Sequence, residues 1–578
     1  MRSFLILYAS LSLFLTQKQV CPTHLRNNKT IYERSVASAE NSGVITALFP
    51  ATGAAPSIGV GSGNGGDGGS SSDNGRERSP VTAPSVTVQN RPNMPTLARS
   101  RVIGTVRNGV LYATITDNMA RNAINAATNT TNGRAIQFDI TADAEYESIS
   151  ITFNRTAMQR LNNVRSNVRN IGIGTLVIDL TLDSAAIGTV LDQTSGDVTV
   201  SAMRETSLSE SAREIIDSRP VFEVTITGTS STDANAENTS NITDLRDGTI
   251  TMGLAYIPRV GERTGNLFGV YVDEEGNPHM LTNSSFTDGR VIFSRNSLSL
   301  YGVGYQSDPV FTDIAGHWAR ADIDFAASRG LVSGTVTGTE AAFSPNTAIT
   351  RADFIMALGR LSGADVSIHT ASRFIDVQND NPAMPYIEWA VLNGIVSGIG
   401  SRRFAPNDVI NREEMAVTMV NYAESINYIM PTSRQAVVFA DNARITAGAR
   451  ADVRSIQQTG IIVGRDNNRF DPREAVTRAE AAVILRRFVE LVIDESTARG
   501  WARNDSGSWQ FIDATGRAVT GWHTDIDGER FWFDNRGIMI SDRWVQIAGN
   551  WYYFYDSGRL AVSTVIDGYT IGEDGARE

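Results

Sequence analysis

The sequence predicts a multidomain protein made of a β-rich domain, an α-helical triple repeat and a C-terminal solenoid of β-hairpins. Three observations lead there. Short alternating apolar runs recur between residues 96 and 306, and one helical pattern is written three times between 311 and 490. Beyond residue 500, glycines recur every twenty-one positions. A chain of 578 residues can hold several buried cores, and 41% hydrophobic with 20% charged residues is ordinary for folded protein.

The N-terminal part carries two segments outside these domains. A basic start, Met1-Arg-Ser, precedes an apolar run from Phe4 to Thr16, too short to span a bilayer and suited to the core of an export signal. With the small-residue pattern Ala37-Ser38-Ala39, this predicts a processed segment over 1–39 and a secreted product. Residues 40–95 are expected to form a flexible linker, since 52 to 95 are rich in Gly, Ser, Pro and Asn. Gly61-Ser-Gly63-Asn-Gly-Gly66 has the letters of a dinucleotide-binding turn, but no strand precedes it and no helix follows.

The β-rich domain is expected over 96–306. Its strands are read at Ala135 to Ile140, Ser148 to Phe153, Thr175 to Leu182, Val221 to Ile226, Leu267 to Val272 and Val291 to Phe293. A helix is expected from Thr156 to Val168.

In the triple repeat, Phe-x-Asp stands at Phe311, Phe374 and Phe439, and a glycine turn follows at Gly330, Gly394 and Gly460. Phe-x-Pro comes next at Phe343, Phe404 and Phe470, and an arginine lies eight positions beyond each, at Arg351, Arg412 and Arg478. Each copy reads as helix, tight turn, extended link and second helix. Glycine ends the first helix, where the backbone turns left-handed. The second starts at Thr350-Arg-Ala-Asp353, Asn411-Arg-Glu-Glu414 or Thr477-Arg-Ala-Glu480, an N-cap with an acid at N3. One hairpin is too small to bury its own apolar face, so the three copies must pack together.

Composition excludes several functions. A formal charge of −12 argues against general nucleic-acid binding. Cys21 is the single cysteine, which rules out an intrachain disulfide or a cysteine metal centre. The five histidines are scattered, so no metal site and no cofactor is predicted. Arg465 to Asp471 invites a calcium-loop reading, which fails because Phe470 stands at the loop's fifth position. No nucleophile elbow, Ser/His/Asp set or convincing carboxylate pair is present, and no catalytic residue is assigned.

These repeats resemble the S-layer homology family, whose members carry three copies ending in Thr-Arg-Ala-Glu. The resemblance covers about 180 residues and divides them as 307–372, 373–432 and 433–495. It implies a pseudo-threefold helical unit whose grooves bind a secondary cell-wall polysaccharide, often a pyruvylated one. It maps the polymer-binding positions onto Asp313, Asp376, Asp441, Arg351, Arg412, Arg478 and Trp318. An arginine just inside a helix N-terminus sets a fork of donors beside free backbone N–H groups, which suits a carboxylate. The structural alternative is that these residues cap helices and tie the copies together. Copies two and three lack a counterpart of Trp318, and the third groove is expected to bind least well. The β-rich segment bears a weaker likeness to the one that often precedes such repeats in large surface proteins.

Six of the eight tryptophans lie beyond residue 500. Glycines at 507, 528 and 549, and again at 516, 537 and 558, frame Trp509-Gln-Phe, Phe531-Trp-Phe and Trp551-Tyr-Tyr-Phe. This tail, residues 499–578, is similar to the choline-binding or cell-wall-binding repeat family. The likeness implies aromatic cages, with Trp501, Trp509, Trp522, Trp532, Trp544, Trp551 and Tyr553 as candidates to hold a quaternary ammonium. Arg530 and Gln510 break the aromatic pattern where cage members are expected, and aromatics in so short a repeat must also form its core.

The leading expectation is a non-catalytic surface protein, S-layer or S-layer-associated and not membrane-spanning. It would be held on a bacterial wall by the polysaccharide, with choline-bearing or other wall glycan as a second partner and self-assembly into a lattice as a further one. The alternative is a wall-bound hydrolase or transferase acting through residues 96–306.

Overall fold

The computed structural model describes residues 86–89, 95–229, 239–307, 311–337, 340–426 and 428–578. The expected export signal and the linker up to residue 85 lie outside the described residues. Among the described residues no helix is long and apolar enough to cross a membrane. The chain divides into two compact units, one within 78–540 and one that includes 541–578.

The N-terminal part of the larger unit is two sheets over one core. The first runs in the order Val86–Gln89, Thr96–Ile103, Arg134–Thr141, Val168–Gly174, Ile178–Asp183, Ile250–Ala255, Arg290–Arg295, Ser285–Thr287. The second runs Pro278–Leu281, Leu267–Val272, Leu300–Tyr305, Val221–Thr229, Val198–Arg204, Ser148–Phe153, Val110–Ile115, Thr105–Arg107, with Thr239–Ile242 beside Val221–Thr229. Alternation makes this possible: in Thr96–Ile103 every second residue is buried, from Thr96 to Val102. Phe138 of the first sheet meets Phe153 of the second edge to face, with ring centres 5.9 Å apart. Val86–Gln89, which composition places in the linker, is a strand antiparallel to Thr96–Ile103.

Several elements differ from the sequence reading: the strand expected from Thr175 to Leu182 runs Ile178–Asp183, and the helices Asp117–Ala126, Ser184–Gln193 and Glu210–Ile216 had no sequence expectation. The helix expected from Thr156 to Val168 runs Arg155–Leu161 instead. Asn163 caps a separate 3-10 turn with its side chain, and Asn167 takes a left-handed φ of 47°, which turns the chain into the strand from Val168.

The repeat region contains six α-helices among the described residues, Arg320–Ser328, Arg351–Ser362, Met384–Leu392, Arg412–Ser425, Arg450–Thr459 and Arg478–Ile493. Gly330, Gly394 and Gly460 end the first helix of each copy with positive φ. Thr350, Asn411 and Thr477 cap the second helices, and the latter two form full capping boxes with Glu414 and Glu480. All three copies contribute to one buried cluster that includes Phe325, Phe354, Phe404 and Phe470. Arg329 joins this region to the sheets, donating to the carbonyls of Gly265, Leu267 and Ser284. Full burial pushes its guanidinium down to about 9.

Hairpins follow at Gly500–Arg503 with Trp509–Ile512 and at Gly521–Thr524 with Arg530–Phe533. In the smaller unit they are Arg543–Ile547 with Asn550–Phe554 and Thr564–Ile566 with Tyr569–Ile571. The periodic glycines Gly507, Gly528 and Gly549 all have positive φ, which explains why no other residue recurs there.

Candidate functional site

The repeated aspartates of the pattern do the same work three times. Asp313 accepts from the backbone N–H groups of Phe343 and Ser344 at 2.9 and 2.7 Å. Asp376 accepts from Phe404 and Ala405, and Asp441 from Phe470 and Asp471. Burial pushes the carboxyls of Asp313 and Asp376 up, and these N–H groups outweigh it, holding both below the usual carboxylate range. The loop so fixed packs Phe311 on Phe343, Phe374 on Phe404 and Phe439 on Phe470.

Each arginine then serves the next copy, not its own. Arg351 Nε donates to the Phe404 carbonyl, Arg412 Nε to that of Phe470, and Arg478 Nε to that of Phe343. The guanidinium also lies over the same phenylalanine, at 4.8, 5.1 and 4.8 Å. The extended links form a second closed cycle that runs in the opposite sense: Ile410 N–H donates to Ile349, Ile349 to Val476 and Val476 to Ile410. The contacts therefore close on themselves, and each arginine site is assembled from two copies. The sets are Arg351 with Asp376, Arg412 with Asp441, and Arg478 with Asp313.

The three sets are not alike in exposure. Arg351 and Arg478 are part-exposed, and their Nη2 atoms donate to the carbonyls of Ser397 and Ser333. The N–H groups of Ser397 and Gly398 have no partner among the described residues. Arg412 is 1% exposed, and its Nη2 donates instead to Asp505 Oδ2 at 2.7 Å. Asp505 comes from the turn of the first tail hairpin. Trp318, grouped with copy one by sequence, lines this third site together with Glu480, Val483 and Ile484, and its ring lies over Gly507.

The tail aromatics divide by role. Trp501 is core: its ring meets Phe531 at 4.7 Å, Phe511 at 5.4 Å and Phe533 at 5.7 Å. Arg503 lies over Trp509 at 4.6 Å, and Arg530 over Trp522 at 4.2 Å, with Trp532 edge-on to Trp522. In the smaller unit, Trp544 sits between Tyr553 and Tyr569, with ring centres 5.5 and 5.9 Å away. Its Nε1 donates to Asp567, while Tyr553 donates to Asp542. Trp551 is 42% exposed.

In the β-rich domain, Asp139 and Asp179 face the gap left by Gly174. Asp139 pairs with Arg99 at 3.1 Å and Asp179 with Arg290 at 3.0 Å. Burial raises the Asp179 carboxyl above its ordinary value, against the pull of Arg290. Among the described residues no group of His, Cys, Asp and Glu is arranged to hold a metal ion.

Sequence reasoning missed Asp505, Arg487, the Ser397–Gly398 amides and Tyr569. Asp505 lies in Asn-Asp-Ser-Gly, which reads as turn chemistry alone. Tyr569 belongs to a fourth hairpin without tryptophan, so the tryptophan spacing gave no sign of it.

The S-layer homology domain model matches residues 310–355, 373–416 and 439–482, and the choline-binding repeat model matches 519–564. An amylopullulanase of Thermoanaerobacterium thermosulfurigenes is 32% identical over 204 residues, 35% of this chain and 11% of that protein. S-layer protein EA1 of Bacillus anthracis is 28% identical over 179 residues, 30% of this chain and 19% of that protein. The relatives are thus both enzymes and S-layer proteins, and this chain spans under a fifth of either length. The solved choline-binding domain of Spr1274 in Streptococcus pneumoniae is 36% identical over 14% of this chain and 94% of its own, at a TM-score of 0.13. That score is too low for the likeness to bear on the fold. The chain carries three S-layer homology domains followed by a choline-binding repeat.

Proposed function

We propose that this chain is a secreted, non-catalytic surface protein held on a bacterial cell wall by its S-layer homology domains. The ligand is a secondary cell-wall polysaccharide with acidic substituents such as pyruvate acetals. The polymer contacts centre on Arg351 and Arg478, in a pseudo-threefold unit formed by the three copies. One observation carries this reading. Beside the part-exposed Arg351, the Ser397 and Gly398 N–H groups have no partner among the described residues, and amide pairs next to a guanidinium are matched to a carboxylate.

Asp313, Asp376 and Asp441 are then site-shaping groups, since their oxygens are taken up by backbone N–H bonds. The tail's candidate for a cationic ligand is the Trp544, Tyr553 and Tyr569 group, with Asp542 and Asp567 supplying negative charge. The hairpins form a solenoid in this reading. The catalytic alternative would draw on Asp139 and Asp179, and the arginine bound to each favours a display role for the β-rich domain instead.

The test is sedimentation of the full chain with purified walls, before and after the non-peptidoglycan polymer is stripped. A charge-assisted contact to a carboxylate is worth roughly 1.5–3 kcal/mol. Each of Arg351→Ala and Arg478→Ala should therefore weaken its site by roughly tenfold to a hundredfold. Undiminished binding by the folded double variant, with helix content unchanged by circular dichroism, would sink the mechanism.

A further inference from the structure

We infer that Asp505 is a built-in carboxylate ligand that fills the third of three equivalent arginine sites, closing it to any ligand from outside. The inference deepens the wall-binding reading and rests on it for the identity of the outside ligand.

The equivalence comes from the cyclic contacts. Val463 and Gly464 in the third copy stand where Ser397 and Gly398 stand in the second, at the end of the same glycine turn. In the second copy those amides have no partner among the described residues. In the third, Asp505 Oδ2 accepts from Val463 N at 3.1 Å, from Gly464 N at 2.9 Å and from Arg412 Nη2 at 2.7 Å. Asp505 Oδ1 accepts from Arg487 Nη1 at 2.9 Å. Every donor set expected for a bound carboxylate is thus engaged by a side chain of the same molecule.

The turn bearing Asp505 is itself held in place. The Asp505 N–H donates to the Gly464 carbonyl at 3.0 Å. Asn504 Nδ2 donates to Asp466 at 2.6 Å and Ser508 Oγ to the same carboxylate at 3.2 Å. Arg503 Nη1 donates to the Trp318 carbonyl at 2.9 Å, and the Trp318 ring closes over Gly507. The negative charge is needed here as well as the shape. Buried Arg412, which also meets Glu480 at 3.4 Å, and half-buried Arg487 converge on Asp505, and its carboxylate answers both.

Two consequences follow. Wall binding by this chain runs through two arginine sites, and the first tail hairpin belongs to the third site as its occupant.

The experiment uses the full chain and two variants, Asp505→Ala and the isosteric Asp505→Asn. Thermal unfolding is followed with added formate or acetate, and with chloride or acetamide as controls. Calorimetric titration is carried out with a methyl glycoside of a 4,6-pyruvate-acetal sugar. The expected result is a lower Tm for Asp505→Ala that formate or acetate raises, with no comparable rise in the wild type or with the controls. The saccharide stoichiometry should rise from two sites in the wild type to three in Asp505→Ala, while the isosteric Asp505→Asn, which still fills the site, should stay at two. A folded Asp505→Ala variant that shows neither carboxylate rescue nor a third site would overturn the proposal. Saccharide binding by the wild type with unchanged stoichiometry and no rescue would overturn it alone and leave the wall reading standing. Carboxylate rescue without saccharide binding by any form would support Asp505 as occupant and remove the wall reading.

Discussion

Arg351, Arg412 and Arg478 hold the same position of a repeated pattern, and their surroundings decide how exposed each one is. Sequence identified the position, because Thr-Arg or Asn-Arg at a helix start is a local signal. It did not identify the pairing, because each arginine serves another copy's loop, nor Asp505, which comes from a different domain. Asp505 also makes the fold pH-dependent. Burial would raise its carboxyl, and Arg412 and Arg487 overcome that and hold it below the ordinary range. An unfolded aspartate titrates near 3.9, so the unfolded chain binds the proton first as pH falls. The stabilisation is complete above that value and is lost as pH drops through the lower folded one. Asp313 and Asp376 act in the same direction. Calorimetry from pH 6 downward should show the wild-type Tm falling below about pH 4, and Asp505→Asn should start lower and fall less. Parallel curves would show that Asp505 carries none of this dependence.

Helices, glycine turns and hairpins were legible because their signals are short-range: caps, positive-φ glycines and repeated spacing. The β-rich domain was legible only as strands. Its order mixes parallel pairs, such as Thr96–Ile103 with Arg134–Thr141, with antiparallel ones, and those pairings join residues far apart in sequence. The glycine turns also set the site geometry, which gives a prediction at this scale. A Cβ on Gly398 would stand 2.6 Å from Phe374 Cε1 and 2.7 Å from the Arg403 carbonyl. Gly398→Ala must therefore push the turn outward, at a cost of roughly 1–3 kcal/mol. Wall retention and Tm should fall together, whereas Gly316→Ala, which meets nothing within 4 Å, should change neither. Equal behaviour of the two variants in a pelleting assay and a melt would refute this.

In the larger unit, the chain behaves as more than a row of modules. Arg329 binds three carbonyls of the β-rich domain from the end of the first repeat helix, and Arg434 is buried against Ala498 and Gly460. Lattice formation is a separate proposal, tested by sedimentation of the isolated protein against concentration. The cyclic contacts have a mechanical side. Arg478, late in the chain, grips the Phe343 loop of the first copy, while Ile349, Val476 and Ile410 hold one another in a closed circuit. A tethered protein in shear is pulled from its ends, and a row of independent repeats would peel away one at a time. A clasp that joins the last repeat to the first denies the pull a loose end, so the three must yield together. Stretching single molecules between residues 311 and 498 should give one rupture event, and Arg478→Ala should split it into smaller, earlier ones.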